Sequence, residues 1–135
     1  MTDSIIWFEH LGMADVPVVG GKNASLGEMI RNLTDAGIQV PNGFATTADA
    51  FREFLTENQL EQRVAEALAD LDIDDVPALT ALGNEVRGWI LSAELPESLV
   101  TAITAAYEAL GETLGETLGE AFGDAPSVAV RSSAT

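Results

Sequence analysis

The sequence contains no cysteine, only one lysine and one histidine, and few aromatic residues. The missing cysteines exclude disulfides, thiolate metal sites and cysteine nucleophiles. There is also no apolar run of about 18 residues and no basic and apolar leader, so we expect a cytoplasmic protein without a membrane span. Basic residues are scarce: the chain has six lysines and arginines and 22 aspartates and glutamates, which gives a net charge of −16. Such a charge repels nucleic acid and anionic lipid, which excludes both as default partners.

The chain itself is long enough for one ordinary domain. Its 135 residues, of which 47% are apolar, suffice to build a folded core. Residues 47–127 carry seventeen acids and three bases, whereas residues 1–46 are net −3 and the last eight residues are net +1. An anionic ligand is therefore expected at the ends, which hold Lys22 and the isolated Arg131. The acidic middle is typical of a halophilic surface, with an acidic mesophilic protein as the alternative.

Hydrophobic spacing predicts a helix-rich α/β fold. An amphipathic helix is expected from Asn23 to a glycine cap at Gly37, with an apolar face formed by Leu26, Met29, Ile30 and Leu33. Further helices are predicted after the cap signature at residues 46–49, with Phe51 facing inward, around residues 60–71, and after Pro77 and Pro96. Three to five short strands, packed against about five helices, are expected around Ile5, Val18, Phe44 and Val128.

A repeat of Gly-Glu-Thr-Leu falls within residues 111–123. Each interior glycine costs a helix about 1 kcal/mol relative to alanine, and the glutamates repel each other at a spacing of four. A frayed helix and a loop both fit this composition.

The best candidate for a binding site is the sequence Gly20-Gly21-Lys22-Asn23, directly before the amphipathic helix. Glycines let a backbone approach a ligand closely, and a helix N-terminus offers N–H groups to an anion. It is not a P-loop, because Val16 stands where the first glycine belongs and Asn23 follows the lysine. A plain turn with a solvated lysine is the alternative.

The second candidate follows residues 128–130, which are predicted to form a short buried strand. The guanidinium of Arg131, flanked by the hydroxyls of Ser132 and Ser133, suits a phosphate chain, with a surface ion pair as the alternative. His10 has no nucleophile pattern near it and is expected to be structural. The carboxylates of residues 70–75 lack the glycine and the distal glutamate of a calcium loop and predict a solvated helix junction. We therefore expect neither His10 nor these carboxylates to act as a catalytic residue or a metal ligand.

Four blocks carry a resemblance to a known family: LGM at residues 11–13, VGGKNASLGEM at 19–29, VPNGFATT at 40–47 and VAVRSSAT at 128–135. In this order they resemble the N-terminal part of the phosphoenolpyruvate synthases, or pyruvate, water dikinases. Pyruvate phosphate dikinases and rifampicin phosphotransferases share weaker versions. The resemblance implies that residues 1–135 are the N-terminal portion of an ATP-grasp-type ATP-binding domain, with residues 111–125 as a glycine- and glutamate-rich insertion.

The same resemblance implies a function. Lys22 and Arg131 would contact the phosphates of ATP, beside Gly20, Gly21 and Ser132, and Mg²⁺ would be held by ligands outside this chain. The complete enzyme would convert pyruvate, ATP and water to phosphoenolpyruvate, AMP and phosphate, a gluconeogenic reaction, through a phosphohistidine on another domain. Pyruvate would be bound only by other domains, and a homodimer of the full-length enzyme is compatible with this reading.

Two interpretations of the 135-residue chain follow. As a segment of a longer phosphotransferase, it is expected to bind nucleotide weakly and to lack dikinase activity by itself, because phosphoryl transfer needs the metal, the clamp and the acceptor together. As a stand-alone nucleotide-binding or interaction module, it would need a partner chain to complete the site.

Overall fold

The computed structural model describes residues 3–118 and 126–135. The first elements are β1 (Ile5–Trp7), two single-turn 3₁₀ helices (Phe8–His10 and Met13–Asp15), α1 (Val16–Val19) and α2 (Gly21–Asp35). They are followed by β2 (Phe44–Thr46), α3 (Ala48–Glu57), α4 (Leu60–Ala69), α5 (Val76–Ser92) and α6 (Glu97–Leu118). The described residues thus form a helix-rich α/β fold with six α-helices and a two-stranded sheet. None of these helices combines the length and hydropathy that a membrane span requires.

The elements belong to two compact units, Met1–Phe51 with Glu97–Thr135, and Arg52–Pro96. In the second unit, α4 packs against α5. The guanidinium carbon of Arg63 lies 3.9 Å from the ring centroid of Trp89, a cation–π contact. The side-chain amide of Asn58 donates a 2.9 Å hydrogen bond to the carbonyl of Glu94, which joins the end of α3 to the segment after α5.

The small sheet lies in the first unit. Strands β1 and β2 pair antiparallel, with Ile6 opposite Ala45 and Trp7 opposite Phe44. The rings of Trp7 and Phe44 meet edge to face with centroids 5.6 Å apart, a favourable arrangement for a cross-strand pair.

Buried Thr47 joins this sheet to α3. Its hydroxyl donates to the carbonyl of Asp3 at 2.9 Å and accepts from the N–H of Ala50 at 3.2 Å. Through the second bond, Thr47 caps the N-terminus of α3. The cap is one residue later than residue 46, where the predicted cap signature begins. Phe51, on the next turn, is 52% exposed, so the prediction that it faces inward is wrong.

Helix α2 confirms the predicted helix and its glycine cap, although none of the four residues of the predicted apolar face is among its buried residues. Gly37 has a φ of +81°, the left-handed conformation that ends many helices. Its N–H donates to the carbonyl of Thr34 at 3.0 Å, and the N–H of Ile38 donates to that of Leu33 at 2.9 Å.

The core of the first unit lies under small residues of α2. Its buried members are Leu11, Val19, Ala24 and Ala45, with Ile6, Phe8 and Val16 packed against them. Leu11 is fully buried and contacts α2 at Gly27, where a Cβ would lie 2.6 Å from the Cβ of Leu11. Ala24 and Gly27 are the buried residues of α2, whereas Met29, predicted for the core, is 45% exposed.

Two of the predicted strands do not form. Val18 lies in α1, whose first turn contains Pro17, a residue well suited to a helix start. Residues 128–130 form no strand, and Val130 is 92% exposed. The strand prediction fails there because no described strand pairs with these residues and no core covers them.

The glycine- and glutamate-rich repeat is helical in its first part. Helix α6 continues to Leu118, and Leu110 is buried. Residues 119–125 lie outside the described residues.

The charge of the middle segment has a consequence for stability. Every described acidic side chain of residues 47–114 is exposed, and only three arginines accompany them. We expect the melting temperature to rise between low salt and 1 M KCl, by roughly 4 °C per kcal/mol of relieved repulsion, because molar salt shortens the screening length to about 3 Å. Melting followed by circular dichroism would check this. Equal melting temperatures would contradict the halophilic interpretation, and sucrose at matched osmolality controls for non-ionic stabilisation.

Candidate functional site

The turn between α1 and α2 is built around Gly20. Its φ of +82° and ψ of +164° fall in a region that only glycine adopts readily. The N–H of Gly20 donates to the carbonyl of Val16 at 2.8 Å, and its carbonyl accepts from the N–H of Ala24 at 3.1 Å. One residue therefore ends α1 and begins α2, which places exposed Lys22 in the first turn of α2.

The C-terminal segment docks on this same turn. The N–H of Gly21 donates to the carbonyl of Ala134 at 3.0 Å, and the N–H of Asn23 donates to Oγ of Ser133 at 3.4 Å. We call these two bonds the C-terminal clamp. A Cβ at Gly20 would lie 2.7 Å from the carbonyl carbon of Ser133, so the close approach requires glycine. Two N–H groups that the sequence analysis expected to be available to an anion are thus bonded within the chain.

A shallow depression of about 360 Å³ opens beside the turn. It is lined by Gly21, Lys22, Asn23, Ser25, Leu26, Met29 and Arg131. The fold therefore brings Lys22 and Arg131, distant in sequence, to one surface. Among the described side chains, no carboxylate lies within 4.0 Å of either cation, so the ion pair considered for Arg131 is not formed there. Two exposed cations thus line one depression on a strongly acidic chain.

Several residues around the depression were not predicted from the sequence. Ser133, and not its neighbour Ser132, contacts the turn, while Ser132 is exposed and does not line the depression. Ser25 and Met29 follow Lys22 at the third and seventh positions, which is the spacing of one helix face. That spacing was the available signal, but the apolar stripe had assigned Met29 to the core.

The other residues considered for chemistry lie elsewhere. His10 is exposed, with Nε2 3.6 Å from Oε1 of Glu9. The predicted solvated junction between α4 and α5 is confirmed: residues 72–75 are exposed, and Asp75 caps α5 by accepting from the N–H of Ala78 at 3.1 Å. Within residues 3–118 and 126–135, no group of three histidine or acidic side chains is arranged to hold a metal ion.

The chain belongs to a family of nucleotide-binding domains. The pyruvate phosphate dikinase, AMP/ATP-binding domain family matches residues 16–135, which include the whole turn and Arg131. The resemblance noted from the four sequence blocks is therefore confirmed at the level of the family.

Individual proteins of known name are also similar to this chain. The chain is 54% identical over 133 residues to the phosphoenolpyruvate synthase of Deinococcus radiodurans, a match that covers 98% of this chain. It is 53% identical over 131 residues, or 97% of the chain, to the phosphoenolpyruvate synthase of Neisseria meningitidis serogroup B. It is 47% identical over its full length to that of Pseudomonas aeruginosa. In each case the match covers 16% of the relative, so the chain spans about one sixth of the length of these proteins.

Proposed function

We propose that this chain is the ATP-binding segment of a phosphoenolpyruvate synthase, which converts pyruvate, ATP and water to phosphoenolpyruvate, AMP and phosphate. The observation that carries the proposal is the meeting of Lys22 and Arg131 at one depression within a member of the AMP/ATP-binding family. The relatives compared above are phosphoenolpyruvate synthases, and the resemblance of the four sequence blocks to that family implies the reaction.

The side chains at the depression suit a polyphosphate. The ammonium of Lys22 and the guanidinium of Arg131 would hold the phosphates, since charge-assisted hydrogen bonds from such groups are the strongest that proteins make to phosphate oxygens. Gly20, Gly21 and Ser132 would lie beside them. A nucleotide of high negative charge needs such a surface here, because the chain as a whole, at net −16, repels it.

The remaining parts of the reaction belong to other segments in this proposal. The domain is of the ATP-grasp type, with residues 111–125 inserted in it, and residues 1–135 form its N-terminal portion. Ligands for Mg²⁺, the phosphohistidine and the pyruvate site lie outside this chain. The complete enzyme works in the cytoplasm, in gluconeogenesis, as a homodimer. Phosphoryl transfer needs a positioned acceptor, a metal ion and groups that enclose the phosphates. Lys22 and Arg131 alone therefore provide binding without catalysis.

The two cations are tested by alanine substitution and a binding titration with ATP and Mg²⁺. We expect Lys22→Ala and Arg131→Ala each to raise the ATP dissociation constant at least tenfold, because losing a charged hydrogen bond costs roughly 1.5 to 3 kcal/mol and every 1.4 kcal/mol is about a factor of ten. Isothermal titration calorimetry on the 135-residue chain measures it. Arg87→Ala, which removes an exposed arginine of α5, is the matched control for net charge. An equal loss of affinity in all three variants would reduce the effect to bulk charge and refute the assignment.

A further inference from the structure

The position of Arg131 depends on the residues that follow it. Residues 127–132 are exposed and carry no regular secondary structure. Among the described residues, the hydrogen bonds that tie residues 126–135 to the rest of the chain lie at two places. One is the bond from the hydroxyl of Tyr107 to the carbonyl of Pro126, at 2.8 Å, and the other is the C-terminal clamp at Ser133 and Ala134.

The clamp also brackets Lys22. Its two donors are the N–H groups of Gly21 and Asn23, the residues on either side of the lysine. Its acceptors belong to residues two and three positions beyond Arg131. Both cations are therefore close in sequence to the residues of the clamp. The clamp sets the register of the C-terminal segment, which carries Arg131, against the start of α2, which carries Lys22.

We propose that Ser133 is a positioning residue, whose hydroxyl holds Arg131 in register with Lys22 across the depression. The hydroxyl accepts the N–H of Asn23, while the main chain of Ser133 packs on Gly20 without room for a side chain between them. The proposal deepens the proposed function, and it rests on that function in every experiment that measures ATP binding. Ser133 touches no ligand in this scheme and acts through Arg131.

The clamp is tested first without nucleotide. The variants are Ser133→Ala, which removes the acceptor, Ser133→Thr, which keeps a hydroxyl, and Ser127→Ala, an exposed serine of the same segment. NMR relaxation should give Arg131 an amide order parameter near that of rigid backbone, about 0.85, in the unsubstituted chain, the threonine variant and the control. In Ser133→Ala it should fall below about 0.6. An unchanged order parameter in Ser133→Ala would overturn the proposal.

A double-mutant cycle with ATP then separates positioning from a merely structural role. Ser133→Ala should weaken ATP binding about two- to tenfold, the range for one neutral hydrogen bond. Adding Arg131→Ala should then cost less than it does in the unsubstituted chain, because a loosened arginine has already lost part of its contribution, whereas adding Lys22→Ala should keep its full effect. Undiminished loss on adding Arg131→Ala, or no loss in Ser133→Ala, refutes the positioning role.

The experiments distinguish a failure of the ATP assignment from a failure of the positioning role of Ser133. If the unsubstituted chain binds no ATP but Arg131 still loses order in Ser133→Ala, the ATP assignment falls and the positioning by Ser133 stands. Melting temperatures of all variants, measured alongside, identify any variant whose losses arise from unfolding.

Discussion

Replacement of Gly27 by alanine is expected to destabilise the chain by about 3 kcal/mol, although alanine is the better helix former. The new Cβ would lie 2.6 Å from the Cβ of Leu11 and 2.7 Å from its carbonyl carbon. Both are well inside van der Waals contact, and the carbonyl carbon belongs to the main chain, which cannot rotate away. Either α2 must move away from the core or the segment around Leu11 must shift.

The segment around Leu11 is poorly placed to give way. Leu11 is fully buried, and its carbonyl accepts a 3.3 Å hydrogen bond from Nη2 of Arg31 on α2. The next residues are held from the same helix, because the N–H of Met13 donates to Oε2 of Glu28 at 3.2 Å. Displacing this segment would therefore break polar contacts as well as core packing.

Gly88→Ala is the matched control for Gly27→Ala. Gly88 lies inside α5, and a Cβ there would meet no atom within 4 Å. The same substitution should stabilise the chain by about 0.5 to 1 kcal/mol, through the helix propensity of alanine alone. Urea denaturation of both variants measures the difference. Similar effects of the two substitutions would contradict the close packing of Leu11 on α2.

The elements predicted correctly from the sequence are those with local signals. Helix α2 combines an apolar period with a glycine at its end, and Pro77 lies in the first turn of α5 as expected. Residues 128–130 carried an equally local signal, three small apolar residues in a row, yet a strand requires a partner that local sequence does not identify. The structure leaves Val130 exposed, so the apolar run alone was insufficient.

Part of the candidate site was predictable for a similar reason. Lys22 and Arg131 stood out because cations are rare in this chain, and the fold does bring both to one depression. The choice between Ser132 and Ser133 could not be made from sequence, because adjacent serines differ only in what the folded chain presents to them. The close packing at Gly27 was not predicted, because its partner Leu11 lies outside α2, between the two 3₁₀ helices.

The second large effect is expected at Gly20, where alanine should cost about 2 to 4 kcal/mol and open the C-terminal clamp. Two penalties combine there. The conformation at φ +82° and ψ +164° is strained for any residue with a Cβ, and the Cβ would collide with the main chain of Ser133. If residues 133 and 134 moved away to relieve this collision, the hydrogen bond from the N–H of Gly21 to the carbonyl of Ala134 would break. Hydrogen exchange at Gly21 should therefore accelerate as stability falls.

A series of three glycines separates the two penalties. At Gly21 the φ is not positive and a Cβ meets nothing within 4 Å, so alanine should leave the melting temperature nearly unchanged. Gly37 has a φ of +81° with open space around it, so alanine there should cost only the strain, about 1 to 2 kcal/mol. Gly20 should cost clearly more than Gly37, because its conformation is the more strained of the two and its Cβ would also meet Ser133. If Gly20→Ala and Gly37→Ala are equally destabilising, the C-terminal segment does not press on the turn, and Arg131 must be held beside Lys22 by something other than the clamp.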